Sequence, residues 1–263
     1  MPELIIDDIE LYYETRGSGA PLMLIAGLAS DSGSWSPIIE GLSRECLVIT
    51  PDNRGCGRTL PQETETGIRR IADDCAALVG SLGLTSVNLL GHSMGGLVAM
   101  DLAIRYPQTV DKLILCCTAA SNSGRNISLF STWASAFEAG LEPRLFFKNI
   151  FYWLFTPRFF EDEAAVDEAA MMAAEYPYPQ SAEAFSNQVR AIAGFDCRGG
   201  LAAIKAKTLV ICGREDLLYT PEEGKGLAGA IPGASLAIID KAAHSIHIEQ
   251  PAAFIERVLG FLR

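Results

Sequence analysis

Apolar residues in this chain fall into short blocks separated by stretches of helical period. The opening blocks are Leu4-Ile5-Ile6 and Ile9-Glu10-Leu11-Tyr12-Tyr13-Glu14. The second alternates apolar and polar positions, which predicts a half-buried hairpin strand. Arg16-Gly17-Ser18-Gly19 then reads as a turn. Short, almost wholly apolar runs come next at residues 21–26, 46–50, 87–90, 112–117, 209–212 and 236–239. Runs of this kind predict strands buried on both faces. Between them, residues 68–82 carry Ile71, Cys75, Leu78, Val79 and Leu82 at helical spacing. Residues 37–42, 94–105, 221–230 and 251–262 also read as helices. Pro37 suits a first turn with Ser36 as N-cap, and Pro107 lies beyond the end of the helix at 94–105. Strands alternating with helices predict an α/β fold: a mostly parallel, twisted sheet of about eight strands with helices on both faces.

Residues 121–197 break this rhythm. They read as helical throughout and are dense in aromatics: Phe130, Trp133, Phe137, Phe146, Phe147, Phe151, Tyr152, Trp153, Phe155, Phe159 and Phe160. Residues 161–175 are rich in Ala and Glu, and Pro177 and Pro179 punctuate the chain just after them. The expected organisation is a core of residues 1–120 and 198–263, with 121–197 inserted as a helical cap over the strand ends. Its aromatics serve either to line a pocket or to staple the insertion to the body. They suit a dimer contact as well as a lid, so monomer and homodimer stay open.

Charge and cysteine content narrow the function classes. The net charge is −11, from 21 basic and 32 acidic residues. Nucleic-acid phosphates and anionic membranes both call for a basic surface, so neither is an expected partner. Met1-Pro2-Glu3 is acidic and the apolar stretch after it is too short for a secretory signal. No apolar run approaches the ~18 residues of a spanning helix. Seven cysteines, an odd number, occur without a Cys-x-x-Cys pair. Reduced thiols in a cytoplasmic protein are the expected state, and zinc-ligand spacing is lacking.

The candidate chemistry centres on Gly91-His92-Ser93-Met94-Gly95, which stands between a predicted strand and a predicted helix. A serine on so sharp a turn has its hydroxyl pushed clear of the backbone, which makes Ser93 the expected nucleophile. A serine hydroxyl needs a base, and the chain has three histidines: His92, His244 and His247. The His92 side chain should diverge from that of Ser93 across the turn, leaving it a packing or hydrogen-bonding role. His244 lies in a loop directly after the strand at 236–239, where a base can reach the serine; His247, three residues on, is the alternative. The imidazole needs a carboxylate partner, and Asp216, in the loop after the strand at 209–212, is the candidate ahead of Glu215. Two backbone N–H groups, of Met94 and Leu28, are the expected oxyanion donors.

Four stretches then carry a family likeness: Gly91 to Gly96; Asp52-Asn53-Arg54-Gly55-Cys56-Gly57-Arg58-Thr59; the acid loop at residues 213–221; and His244-Ser245-Ile246-His247-Ile248-Glu249-Gln250-Pro251-Ala252-Ala253-Phe254. On these the chain resembles the α/β-hydrolase superfamily along nearly its whole length. The order Ser93, Asp216, His244 matches that family. Thr59 stands where the family signature ends in Ser, and Ala26-Gly27 stands where the family has His-Gly. Serine at 93 separates the chain from relatives whose elbow carries aspartate. The stretch from His244 to Phe254 is similar to 3-oxoadipate enol-lactonases, and also to C–C bond hydrolases, haloperoxidase-like esterases and acyl methyl-esterases. A lactone bearing a carboxylate would need a basic partner, for which Arg125, Arg144, Lys148, Arg158 and Arg190 are candidates.

The expectation is therefore a serine hydrolase of a small carboxylic ester or lactone, working through an acyl-enzyme on Ser93 without metal or organic cofactor. The alternatives are a C–C bond hydrolase or lyase using the same serine and histidine, and a non-catalytic ligand-binding protein on the same fold.

Overall fold

Alternation along each strand decides which side of the sheet each residue packs on. The computed structural model describes residues 3–263. Its strands are β1 (Glu3–Ile6), β2 (Ile9–Arg16), β3 (Ala20–Ile25), β4 (Cys46–Pro51), β5 (Val87–His92), β6 (Val110–Cys116), β7 (Lys207–Gly213) and β8 (Ser235–Ile239). They form one sheet in the order β1-β2-β4-β3-β5-β6-β7-β8. β1 and β2 form an antiparallel hairpin, and β2 pairs antiparallel with β4. Every other pairing is parallel.

The helices of the body are α1 (Ser36–Leu42), α2 (Ile68–Ser81) and α3 (Met94–Arg105), then α8 (Pro221–Ala230), α9 (Ile246–Glu249) and α10 (Pro251–Leu262). Met23, Ile25, Leu89, Leu113, Leu115 and Val210 pack into one apolar cluster with residues of α2, α3 and α8. Their strand neighbours Leu22, Leu24, Leu90, Ile114 and Ile211 pack into a second cluster with residues of α1 and α10. Each of these side chains is fully buried, worth roughly 1.5–3 kcal/mol apiece against exposure. This two-sided burial explains why the central strands read as unbroken apolar runs.

Between β6 and β7 lie α4 (Gly124–Glu138), α5 (Pro143–Leu154), α6 (Glu163–Ala174) and α7 (Ala182–Ala193). Ser121 and Asp196 form an antiparallel bridge where this segment leaves and rejoins the body, and Cys197 N donates to Ala120 O at 3.0 Å. Pro177 and Pro179 sit in the loop between α6 and α7.

One element starts differently from its expected form. Ser36 is not an N-cap; it is the first residue of α1, which comes after a 3-10 turn at Ser32–Trp35. The capping side chain is Asp31, whose carboxylate accepts from Gly33 N at 2.8 Å. An aspartate before the tighter turn satisfies the orphan N–H groups one turn earlier than the Ser-Pro pair implied.

Candidate active site

The strand order reverses at β3, which has β4 on one side and β5 on the other. In a parallel α/β sheet the crevice beyond the carboxyl ends of the strands at such a point is where ligands bind. Ser93 comes directly after β5, and Gly27-Leu28 lies just past β3, so both fall at that crevice. Ser93 has φ 55° and ψ −119°, a conformation a non-glycine residue adopts only when its surroundings impose it. Those surroundings are visible. Ser93 N donates to Cys116 O at 2.9 Å, and the Ser93 carbonyl accepts from Thr118 Oγ1 at 2.8 Å and Gly96 N at 2.9 Å. A Cβ at Gly91 would collide with the Gly95 carbonyl, and one at Gly95 with the Ile25 carbonyl. The strand, the turn and the helix pack too closely for any other residue at those two positions.

His244 lies in the loop after β8 and is buried. Its Nδ1 lies 3.0 Å from Asp216 Oδ2. A carboxylate accepts, so Nδ1 carries the proton and Nε2 is left as the acceptor nitrogen. Asp216 Oδ1 accepts from Leu218 N at 2.8 Å and Tyr219 N at 3.0 Å, which fixes the carboxylate in place. Glu215 is exposed, and its backbone N–H donates to Ala242 O. The Tyr219 ring stacks on His244 with centroids 5.7 Å apart.

The other two histidines support this pair. His92 Nε2 donates to the His244 carbonyl at 2.9 Å, so it holds the histidine loop by its backbone. Burial, then the neighbouring His244 and His247 rings, drive its pKa well below the usual imidazole value. His247, in α9, packs between Trp35 and His92 at centroid distances of 5.0 and 4.9 Å. It too is kept neutral: burial, then His244, brings its pKa down to about 3.

On the β3 side, Met94 N begins α3 and Leu28 N lies next to Gly27, whose Cα abuts Ser93 closely enough that a Cβ would meet Ser93 Cβ at 3.1 Å. Ala26, which stands where the resembled family usually has the His of a His-Gly pair, is buried; its carbonyl accepts from Asn53 Nδ2 at 2.9 Å. The Asp52 turn is structural. Asp52 accepts from Ser32 N and Arg58 N, and Thr59 Oγ1 donates to Asp52 O at 2.6 Å. A threonine hydroxyl therefore makes the bond a serine would make there.

Ser93, His92, His244 and His247 line a cavity of about 220 Å³ with Gly27 and Leu28. Phe130, Trp133, Phe147, Phe151, Phe155 and Phe185 of the helical segment form the opposite wall. For these six, lining a pocket and packing the segment are one role. Phe137 and Phe146 stack on each other instead, and Tyr152 and Phe160 are exposed.

The five candidate cations fall elsewhere, and this corrects the expectation of a basic partner for a carboxylate. Arg125 donates to Leu217 O, Arg144 lies 3.9 Å from Glu175, Lys148 pairs with Asp167, Arg190 bonds Asn187, and Arg158 is exposed. None of them lines the cavity. Arg144 and Lys148 meet acidic partners on the helix surface, where a solvated pairing costs less than burial.

Three residues without an expected role tie the helical segment to the site. Glu249 Oε1 accepts from Thr156 N at 2.9 Å and Thr156 Oγ1 at 2.8 Å, while its Oε2 accepts from Ala243 N at 2.7 Å, next to His244. Gln188 Oε1 accepts from Ala29 N at 3.2 Å, and its Nε2 donates to Arg54 O at 3.0 Å. Tyr176 donates to Asp31 Oδ2 at 2.7 Å. Glu249 stood inside the recognised histidine stretch; Gln188 and Tyr176 had no local signal at all, because their partners lie more than a hundred residues away.

Among the described residues, two trios place potential metal-ligand atoms within 4.8 Å of one another: His92 with Cys116 and Cys117, and Cys117 with Asp216 and His244. Burial pushes the Cys117 thiol well above its usual pKa, which disfavours the thiolate a metal requires. No described helix is long and apolar enough to cross a membrane.

Comparison with known proteins agrees with this architecture. Residues 20–251 match the family described as alpha/beta hydrolase fold. The chain is 31% identical to the "Putative carbamate hydrolase RutD" of Azorhizobium caulinodans over 99% of this chain and 98% of that one. It is 28% identical to the solved enol-lactonase from Burkholderia xenovorans LB400, covering 99% of each chain at a TM-score of 0.89. It is 29% identical to a thermophilic esterase from Thermogutta terrifontis, covering 97% of this chain and 93% of that one at a TM-score of 0.86. The chain belongs to the alpha/beta hydrolase fold family and is a hydrolase enzyme.

Proposed function

We propose that this hydrolase cleaves a small carboxylic ester or lactone through an acyl-enzyme on Ser93, with His244 as base and Asp216 as its orienting acid. The observation that carries the reading is convergence on one cavity. A strained Ser93 and a His244 whose Nδ1 is engaged by Asp216 at 3.0 Å share its lining.

The reaction can be derived from these groups. Ser93 Oγ attacks the substrate carbonyl carbon while His244 Nε2 takes the hydroxyl proton. The carbonyl oxygen gains the negative charge, and the Met94 and Leu28 N–H groups stabilise it. Met94 adds the positive end of the α3 dipole. The tetrahedral intermediate expels the alkoxy oxygen, which takes the proton back from His244. Water enters, His244 removes its proton, and the hydroxide oxygen attacks the acyl carbon. Collapse frees the carboxylic acid and returns the proton to Ser93. Asp216 stabilises the imidazolium in both halves. Residues 121–197 act as a cap that closes the cavity over Ser93, and the bonds from Glu249, Gln188 and Tyr176 support a fixed roof.

Relatives named for carbamate, enol-lactone and ester substrates share the acyl-carbon chemistry, so all three belong in the test. Purified protein and Ser93→Ala are assayed on a panel of esters, lactones, carbamates and vinylogous diketones. The expected result is turnover of esters or lactones by the native protein alone. Turnover confined to the diketones points to C–C cleavage instead. Tight, saturable binding with no turnover across the panel points to a ligand-binding role.

A further inference from the structure

The chemistry of the cavity wall bears on the substrate. Ile150, Leu154 and Ile192 join the aromatic rings on the cap side. The Trp133 indole N–H is already donated to Asn149 Oδ1 at 2.9 Å, so that ring presents carbon to the cavity. On the core side, Ser30 Oγ donates to Leu28 O at 3.4 Å and Ser34 Oγ to Asp31 O at 2.7 Å. The ionisable side chains in the lining are His92, His244 and His247, with no Lys, Arg, Asp or Glu among the described lining residues. Burial keeps His92 and His247 uncharged at neutral pH. Arg125, Arg144 and Lys148 of the cap are tied to backbone or acids, and none of them lines the cavity. The chain's net charge of −11 adds a long-range field that opposes an approaching anion.

Resting on the Ser93 reading, we propose that the site takes uncharged esters or lactones with an apolar, ring-sized group, and discriminates against those bearing a carboxylate. A carboxylate here would lose its hydration with no cationic side chain in the lining to replace it. An apolar group meets aromatic faces and edges. The cavity volume of about 220 Å³ sets the scale for that group.

The test uses matched substrates with one leaving group: 4-nitrophenyl hexanoate, mono-4-nitrophenyl adipate, and the methyl ester of that adipate. At neutral pH, kcat/KM for hexanoate should exceed that for the adipate monoanion by at least about tenfold, because only the anion loses uncompensated hydration. Capping the adipate as its methyl ester should restore most of the difference. A ratio below tenfold, or a preference for the monoanion, overturns the inference. The same ratio is read from the rates at which matched neutral and carboxylated phosphonates label Ser93, so slow deacylation does not hide it. Leu154→Arg, placing a cation at a half-buried lining position, should narrow the ratio; an unchanged ratio in a folded variant counts against the proposal. Absence of both turnover and labelling is a failure of the Ser93 reading, whereas turnover without discrimination is a failure of this inference alone.

Discussion

At the scale of single residues, the proposed catalysis turns on which of two neighbouring carboxylates meets the imidazole. Asp216 and Glu215 differ by one position, and their surroundings differ completely: one carboxylate is buried against His244 and the other is in solvent. Asp216→Asn should therefore lower kcat by roughly ten-thousandfold, with the imidazole held in the wrong tautomer. Glu215→Gln should leave kcat within about twofold, as for an exposed charge. Steady-state kinetics on one ester decides between them. The sequence order favoured Asp216 and His244, because a loop after a strand points toward the switch crevice. It could not show that His247 is buried, since a lone histidine beside a short helix carries no period of its own.

His247 also makes a pH prediction. Its folded pKa of about 3 lies below the unfolded imidazole value near 6.5. The folded state thus binds fewer protons than the unfolded one between those values. Stability from this group is complete above pH ~6.5 and is lost as pH falls toward 3, by at most about 1.4 kcal/mol per pH unit. Thermal melts of the native protein and His247→Asn between neutral pH and pH ~5 should show a shallower acid-side decline in the variant. Parallel declines would contradict the assignment of His247 as a neutral buried imidazole.

At the scale of elements, strands and body helices were legible because burial on both sheet faces leaves a plain apolar run. The junctions were less so. α1 begins at Ser36 itself, because it continues from a 3-10 turn that Asp31 caps and has no side-chain cap of its own. The hydrogen bonds joining residues 121–197 to the body were invisible, since a single polar side chain in a helix or loop does not announce a distant partner. Glu249 clamps Thr156 of the inserted segment and Ala243 of the histidine loop with one carboxylate. Glu249→Ala leaves the Ala243 and Thr156 N–H donors unpaired, at a cost of about 1–3 kcal/mol each where buried. It should lower kcat more than it raises KM, because it loosens the loop carrying His244 rather than the cavity wall. A change confined to KM would show that Glu249 shapes the wall instead.

At the scale of the molecule, an α/β fold with a helical insertion was readable from the alternation of strands and helices and its interruption at 121–197. The strand order was not, because each strand's pattern reports burial without naming its neighbour. Nor was the cavity, whose lining includes residues from the ends of β3 and β5, the histidine loop and the four helices between β6 and β7. A buried ion pair also belongs to this scale: Arg54 is fully buried and bonds both Asp74 oxygens at 2.8 and 2.9 Å, with Asp8 at 2.7 Å. Arg54→Ala strands the buried Asp74 carboxylate and should destabilise the fold by about 3–5 kcal/mol, or roughly 10 °C in Tm for a chain of this size. Chemical and thermal denaturation test it.

The central claim is that Ser93 is the nucleophile, activated by His244. Its most direct test is labelling with a fluorophosphonate followed by peptide mass spectrometry. One adduct per chain is expected, on Ser93, lost in Ser93→Ala and formed far more slowly in His244→Ala. An adduct on another residue, or undiminished ester hydrolysis by Ser93→Ala, would contradict it.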